Sequence, residues 1–467
     1  MWMSLLLFVS SLFGWWGLLW LGLPVSWQRV SPSAILLIHV VPPVLIFAAI
    51  KGWLAKRQAR AAEEAALREQ AVEDERQAAR AAARAQHQAA LAARQGVIEC
   101  RWSGLTLQGA KAPAWLDGLD EWGYVRWIAP DELQGDSLTE RLTPALTEWF
   151  EALYQQVPGA AALPLLLEPC AALTGGEQLR WVRTVQLQVL AAAFEAGQRP
   201  QEPVCRFLPG RGLLAERVHH FFESETLQPG AVALAFDAAW PDEDADDATT
   251  PLPSAAIAGL LFLRANLPTD ETVPAQHDAP HDEPYQAYWQ RPAVQERVEW
   301  GAVPPWARDD LLAQPPLAGL ARAARGETLP PGVIAMSKAL RPLLDAALVN
   351  GGLRDLPFGD EARDPVREQA HTLAWLVHDG GGIREAASRM AALGNVLDAH
   401  EVELSPIDDA SSLIRDLGDL GCAGDMALDT CAVLHAVRLQ APVLLARFAD
   451  QETTVAVTRP LSQENSA

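Results

Sequence analysis

Residues Met3 to Leu23 carry no charged side chain, and a second uncharged run follows from Val30 to Ile50. At about 1.5 Å per helical residue, each run is long enough for the roughly 30 Å hydrocarbon core of a bilayer. Inside that core every backbone N–H and C=O needs a partner within the chain, which a helix supplies. Two transmembrane helices are therefore expected over residues 1–54, with membrane lipid against residues 3–50. The second run holds His39 and the pair Pro42-Pro43, expected to kink it. A cleaved signal peptide is the competing reading of the first run. It fits poorly, because a positive n-region is missing and another apolar run follows at once. Trp2, Trp15, Trp16, Trp20, Trp27 and Trp53 match the aromatics expected near a membrane interface.

Cations set the expected orientation. Lys51, Lys56, Arg57 and Arg60 follow the second run, against only Arg29 in the turn Pro24–Pro32. The positive-inside rule then places everything after residue 51 in the cytoplasm. The turn would face the periplasm of a Gram-negative inner membrane, a setting that the Ala- and Trp-rich composition suggests. From Ala55 to Gln95 the chain is Ala, Glu, Gln and Arg without Pro or Gly, a strong helix-forming composition. Pairs such as Glu64-Arg68 and Glu69-Glu73-Arg76 mix support and repulsion at helical spacing. No Leu/Ile heptad seam is present, so a solvated helical stalk over residues 55–95 is expected rather than a coiled coil.

The chain has 467 residues, which by length alone suggests roughly two to three domains of ordinary size. Asp+Glu outnumber Lys+Arg by 59 to 37, a net charge of -22. That excludes a nucleic-acid partner, which needs clustered cations, and suits docking to a basic protein surface. The five cysteines, Cys100, Cys170, Cys205, Cys422 and Cys431, include no CxxC pair. This spacing argues against a zinc site and a disulfide framework, so no metal and no cofactor are expected.

The body reads as alternating helices and strands, hence α/β. Strand-like runs are Val97–Leu107, Leu163–Leu167 and Leu373–Val377; helical patterns lie at Leu138–Gln156, Trp181–Gly197 and Ile383–Ala399. Two later stretches share one layout of Gly-rich turn, helix, strand, strand. The first runs from strand Val204–Leu208 through Pro209-Gly210-Arg211-Gly212, helix Leu213–Glu223, and strands Ala231–Asp237 and Ala256–Leu263. The second runs from Gly418-Asp419-Leu420-Gly421-Cys422-Ala423-Gly424 through a helix to Val437, and strands Pro442–Phe448 and Thr453–Val457. Only Asp429 and His435 are strongly polar between Met426 and Val437, so that helix should be buried all round. A pseudo-twofold duplicated α/β body follows, with helices sandwiched between sheets. An ordinary doubly wound domain with accidental similarity is the alternative. Pro- and Asp-rich stretches at Pro241–Pro253 and Thr269–Pro284, and the run Pro304–Pro331, read as loops.

This layout, with Ser405-Pro406-Ile407-Asp408-Asp409 leading into the turn at Gly418–Gly424, resembles the C-terminal half of thiolase-like ketosynthases. The whole plan of apolar anchor, stalk and duplicated body resembles the type VI lipase adapter family of Gram-negative bacteria. The resemblance implies a thiolase-like duplicated layered sandwich, its halves at 96–268 and 332–460, an irregular connector at 269–331 and a tail at 461–467. It also implies a non-catalytic, membrane-anchored adapter that loads a secreted lipase effector onto the secretion spike protein. A working ketosynthase has a catalytic His in the second turn; the matching position here is Asp419. It has a nucleophilic Cys at the head of the first-half helix; that place here reads Gly210-Arg211-Gly212. Cys205 lies earlier, in the strand, and reads as a small core residue.

Other constellations read as structural. His219-His220 point to different faces of one helix, which disfavours a joint metal site and suits surface or capping roles. His277, Asp278, His281, Asp282 and Glu283 read as a flexible acidic loop, with a divalent cation the alternative. His378-Asp379-Gly380-Gly381-Gly382 reads as a strand-to-helix turn, since no Lys or Ser/Thr completes a phosphate loop. No GxSxG, HExxH or GxGxxG is present, so no catalytic residue is assigned. The expected partner-binding residues are Asp242, Glu243, Asp244, Asp246, Asp247, Asp278, Asp282 and Glu283, facing a basic effector surface. A thiolase-fold enzyme acting on acyl chains at the membrane, and a scaffold of an inner-membrane complex, are the competing functions.

Overall fold

In a computed structural model, the structure describes residues 2–22, 31–94, 98–109, 111–129, 132–133, 135–194, 204–210, 212–225, 228–239, 254–264, 267, 300, 303–354, 369–380, 383–449 and 451–461. The chain forms two compact units, residues 1–90 and 91–467.

The first unit is a helical hairpin. Helix α1 covers Trp2–Gly22 and α2 covers Pro32–Arg94. The expected second span and stalk are thus one uninterrupted helix, continuous through Pro42 and Pro43. Each proline lacks the N–H that would bond the carbonyl four residues back, leaving the Ile38 and His39 oxygens without helical donors. The indole N–H of Trp15 donates to Ile38 O at 2.9 Å, and that of Trp16 to His39 O at 3.2 Å. Two adjacent tryptophans on α1 therefore satisfy the two carbonyls that the adjacent prolines orphan. Phe8 packs edge-on against Phe47, with centroids 5.4 Å apart, so the two helices run antiparallel. Large apolar side chains such as Phe13, Leu21, Leu36 and Leu45 point outward. By length and composition, α2 is apolar enough over its first part to cross a membrane; α1 presents a shorter apolar stretch, Phe8–Gly22.

The second unit is α/β and carries one mixed sheet. Its first half holds β1 (Ile98–Gln108), β2 (Tyr124–Ile128), α3 (Leu138–Gln156), β3 (Leu165–Leu167), α4 (Gly175–Ala193), β4 (Cys205–Phe207), α5 (Leu214–Ser224), β5 (Gly230–Ala239) and β6 (Ser254–Arg264). Helix α6 (Pro305–Ala313) links the halves. The second half holds β7 (Ala318–Leu320), β8 (Ala324–Glu327), α7 (Val333–Asn350), β9 (Trp375–His378), α8 (Ile383–Asp398), β10 (Ala410–Ser412), α9 (Leu413–Leu417), α10 (Gly424–Leu439), β11 (Val443–Phe448) and β12 (Glu452–Pro460).

The strand order shows the duplication. The first half reads β4-β3-β5-β6-β1, and the second β10-β9-β11-β12 followed by β7 and β8, which pair with successive stretches of β12. In each half the three outer strands are parallel and the next two antiparallel. The halves meet where β1 pairs with β7 at Ile98–Cys100. Three apolar clusters give the layering. Helices α3, α4 and α6 cover one face of the first half-sheet, and α7 and α8 cover one face of the second. Between the half-sheets lie α5 and α10, in one core with Leu105, Ala233, Phe262, Leu445 and Ala456. Met426 to Val437 are all buried, as an all-round apolar helix must be.

Several elements differ from the sequence reading. The stretch Pro304–Pro331, expected to be irregular, contains α6, β7 and β8, so the second half begins at Ala318 rather than at 332. Those strands, of three and four residues, are too short to show alternation. Helix α4 begins at Gly175, six residues before Trp181, because Thr174 and Glu177 form a reciprocal capping box. It ends at Ala193 rather than Gly197. Cys205 is partly buried and packs against the first-half core, and His219 is buried rather than on the surface. The ring Nε2 of His219 sits 3.2 Å from Leu320 O, joining α5 to β7, and burial lowers its pKa to about 4.

Candidate functional site

The two Gly-rich turns lie at the heads of the two central helices. In the first, Gly210 and Gly212 have φ of +83° and +94°, a region that only glycine enters readily. Helix α5 then starts with Leu213 at its N-cap position, which offers no side-chain acceptor. The acceptor comes from the other half: Leu214 N–H donates to Asp429 Oδ2 of α10 at 2.9 Å. Burial raises the Asp429 pKa to about 7, against the opposing pull of the backbone bonds from Leu214 and Ala215. Beside this cap, Arg447 pairs with Asp425 and, at 3.2 Å, with Glu452. A Cβ on Gly212 would lie 3.1 Å from both Arg325 Nη2 and Glu452 Oε1. The head of α5 is thus closed by a buried carboxylate and an ionic cluster.

The second turn brings together residues that the sequence keeps far apart. Asp419 is exposed, and its Oδ1 accepts from Gly421 N at 2.9 Å, closing the turn on itself. Gly421 has φ +55°, and a Cβ there would collide with the Asp237 carboxylate. The turn can therefore lie directly on β5, where Cys422 N–H donates to Asp237 Oδ2 at 2.8 Å. The Cys422 thiol donates to Phe236 O at 3.3 Å. On the neighbouring strand, the chain leaving β3 places Cys170 beside the same carboxylate, Sγ to Asp237 Oδ1 at 3.7 Å. The Cys170 and Cys422 sulfurs and an Asp237 oxygen all lie within 4.8 Å of one another.

Electrostatics couples the three groups. The neighbouring Cys422 thiol lowers the Cys170 pKa, while the contact with Cys170 and burial push Cys422 up. Around them, Cys170 N–H donates to Gln178 Oε1 at 3.0 Å, and Gln178 Nε2 donates to Glu168 O at 2.6 Å. Glu168 pairs in turn with the buried Arg217, whose guanidinium also holds the Pro209 and Leu208 carbonyls of the first turn. CxxC spacing is a signal for local metal or redox loops, and this cluster draws on three separate segments, so sequence spacing conceals it.

The acidic residues expected to bind a partner, Asp242–Asp247 and Asp278–Glu283, lie outside the described residues, as do His277, His281, Arg211, Gly381 and Gly382. His378 and Asp379 do form a turn: the Asp379 carboxylate accepts from Phe448 N at 2.9 Å, and His378 Nε2 sits 3.1 Å from Pro406 O. His378 and Ser412 line a largely apolar cavity of about 470 Å³ with Met390 and Ile414. His435 Nε2 is 2.9 Å from Ser411 Oγ and its ring stacks on Trp375. Among the described residues, no cysteine hydrogen-bonds a histidine.

No protein-family model and no curated protein matches the chain. Among solved structures, the chain is similar to human mitochondrial 3-ketoacyl-CoA thiolase at 8% identity, covering 79% of this chain and 99% of that one, TM-score 0.41. It is similar to the ketosynthase from module 6 of the bacillaene synthase of Bacillus subtilis 168 at 8% identity, covering 78% and 72%, TM-score 0.42. It is also similar to an oxazolomycin ketosynthase domain of Streptomyces albus JA3453 at 12% identity, covering 79% and 96%, TM-score 0.39. Likeness at this level does not bear on chemistry; the duplicated α/β architecture rests on the strand order itself.

Proposed function

We propose that the protein is a non-catalytic adapter, held at the bacterial inner membrane by two spans, whose thiolase-like cytoplasmic body binds a secreted lipase effector for the type VI secretion spike. The head of α5 carries this reading. An acyl-transfer enzyme built on this plan needs an activated nucleophile there and a base within about 3 Å. Glycines occupy the turn, and the Asp429 carboxylate takes the helix N–H groups that would otherwise stabilise an oxyanion. The net charge of -22 suits docking of a basic partner face. The test is direct binding of the purified full chain to a candidate lipase effector. Charge reversal at Asp242–Asp247 or Asp278–Glu283 should weaken that binding, and more so at low salt. Unchanged affinity at every salt concentration would remove the docking surface.

A second reading, a thiolase-fold enzyme acting on acyl chains, has one observation in its favour: the Cys170 and Cys422 thiols meet beside the Asp237 carboxylate. Covalent labelling of Cys170 by an acyl-CoA analogue, lost in Cys170→Ser alone, would replace the adapter reading with this one.

A further inference from the structure

We propose that Cys170, Asp237 and Cys422 form a site for a soft divalent cation of the zinc class, bound by two thiolates and one carboxylate with an open fourth position. Thiolates select such cations over magnesium and calcium, and three protein donors plus water complete a tetrahedron. Metal–sulfur bonds of about 2.3 Å and metal–oxygen bonds of about 2.1 Å put tetrahedral donors roughly 3.5–3.8 Å apart. The donors lie within 4.8 Å of one another, so small side-chain rotations suffice.

The donors are also held in place before a cation arrives. Asp237 is fixed by Ala238 N–H on Oδ1 and by Cys422 N–H on Oδ2, both at 2.8 Å. Gln178 fixes the Cys170 backbone. Glycine at 421 permits the close approach of the turn. Binding displaces both thiol protons to solvent, so affinity falls as pH is lowered. Because Cys170 and Asp237 belong to the first half and Cys422 to the second, the ion clamps the duplicated halves together.

The test uses the full chain in detergent, reduced and stripped with a chelator, and titrated with Co²⁺ alone. Thiolate-to-cobalt charge-transfer absorption should appear, saturate at one ion per chain and be displaced by Zn²⁺. It should vanish in Cys170→Ser and in Cys422→Ser but persist in Cys205→Ser. Gln178→Ala should weaken binding by about 10–100-fold, the effect of loosening a ligand's support. A variant that misfolds is bypassed in the wild type, where Zn²⁺ should shield Cys170 and Cys422, but not Cys205, from iodoacetamide. No charge-transfer band, a band that survives loss of both cysteines, or alkylation indifferent to Zn²⁺ overturns the proposal. So does recovery of the pair as a disulfide that Zn²⁺ does not prevent.

Discussion

Asp429 shows how one side chain can tie the two halves and carry a pH signature. Its folded pKa of about 7 lies above the ordinary aspartate value, so the folded state holds its proton more tightly than the unfolded chain does. Stability linked to this group therefore rises as pH falls from about 7 toward about 4, and is absent above the folded pKa. In Asp429→Asn, whose amide oxygen can still accept from Leu214 N–H, the stability difference from wild type should change with pH across that window. Denaturant melts at several pH values check this; a constant difference would contradict it. Asp429→Leu strips the acceptor and should cost about 1–3 kcal/mol by leaving buried N–H groups unpaired. Gly421→Ala should cost a similar 1–3 kcal/mol, from its φ of +55° and the collision with Asp237. Asp419→Ala, in an exposed turn, removes the acceptor of Gly421 N–H and should cost about 0.5–1.5 kcal/mol.

At the scale of elements, the N-terminal hairpin makes the sharpest claim. If Trp15 and Trp16 stand in for the N–H groups missing at Pro42 and Pro43, each Trp→Phe change should weaken the hairpin by about 0.6–1.7 kcal/mol, the range for hydrogen bonds in membranes. The decisive measurement is a double-mutant cycle. In a Pro42→Ala background Ile38 O regains its helical donor, so the loss from Trp15→Phe should shrink toward zero. Additive losses would mean that the indole bond is incidental. Helix α4 offers a simpler case, since its capping box depends on Thr174; Thr174→Ala should cost about 1 kcal/mol in a thermal or denaturant melt.

At the scale of the molecule, α10 packs against strands of both half-sheets and α5 takes its cap from α10. Neither half of the body keeps a complete core alone, so a fragment of residues 303–461 should fail to unfold cooperatively, as judged by circular dichroism during a denaturant melt. A sharp two-state transition in that fragment would show that the halves are independent. The proposed orientation is checked separately: alkaline phosphatase fused after residue 467 should be inactive.

Much was written locally in the sequence. Uncharged runs at residues 3–23 and 30–50 and the Ala-, Glu- and Arg-rich run after them specify helices, and the nonpolar character of Met426–Val437 specifies a buried one, because side-chain hydrophobicity acts along the chain without reference to distant residues. The repeated order of Gly-rich turn, helix and two strands likewise announced the duplication, since glycine and alternation are local signals. The short strands β7 and β8 gave no such signal; pairing with β12, and of β7 with β1 as well, makes them strands. Nor could spacing show that Trp15 and Trp16 would meet the carbonyls freed by two prolines, or that Asp429 would cap α5. The meeting of Cys170, Asp237 and Cys422 was likewise decided only by the tertiary structure. Convergence of groups from separate segments depends on how the half-sheets close over the central helices, and no period or motif along the chain encodes that distance.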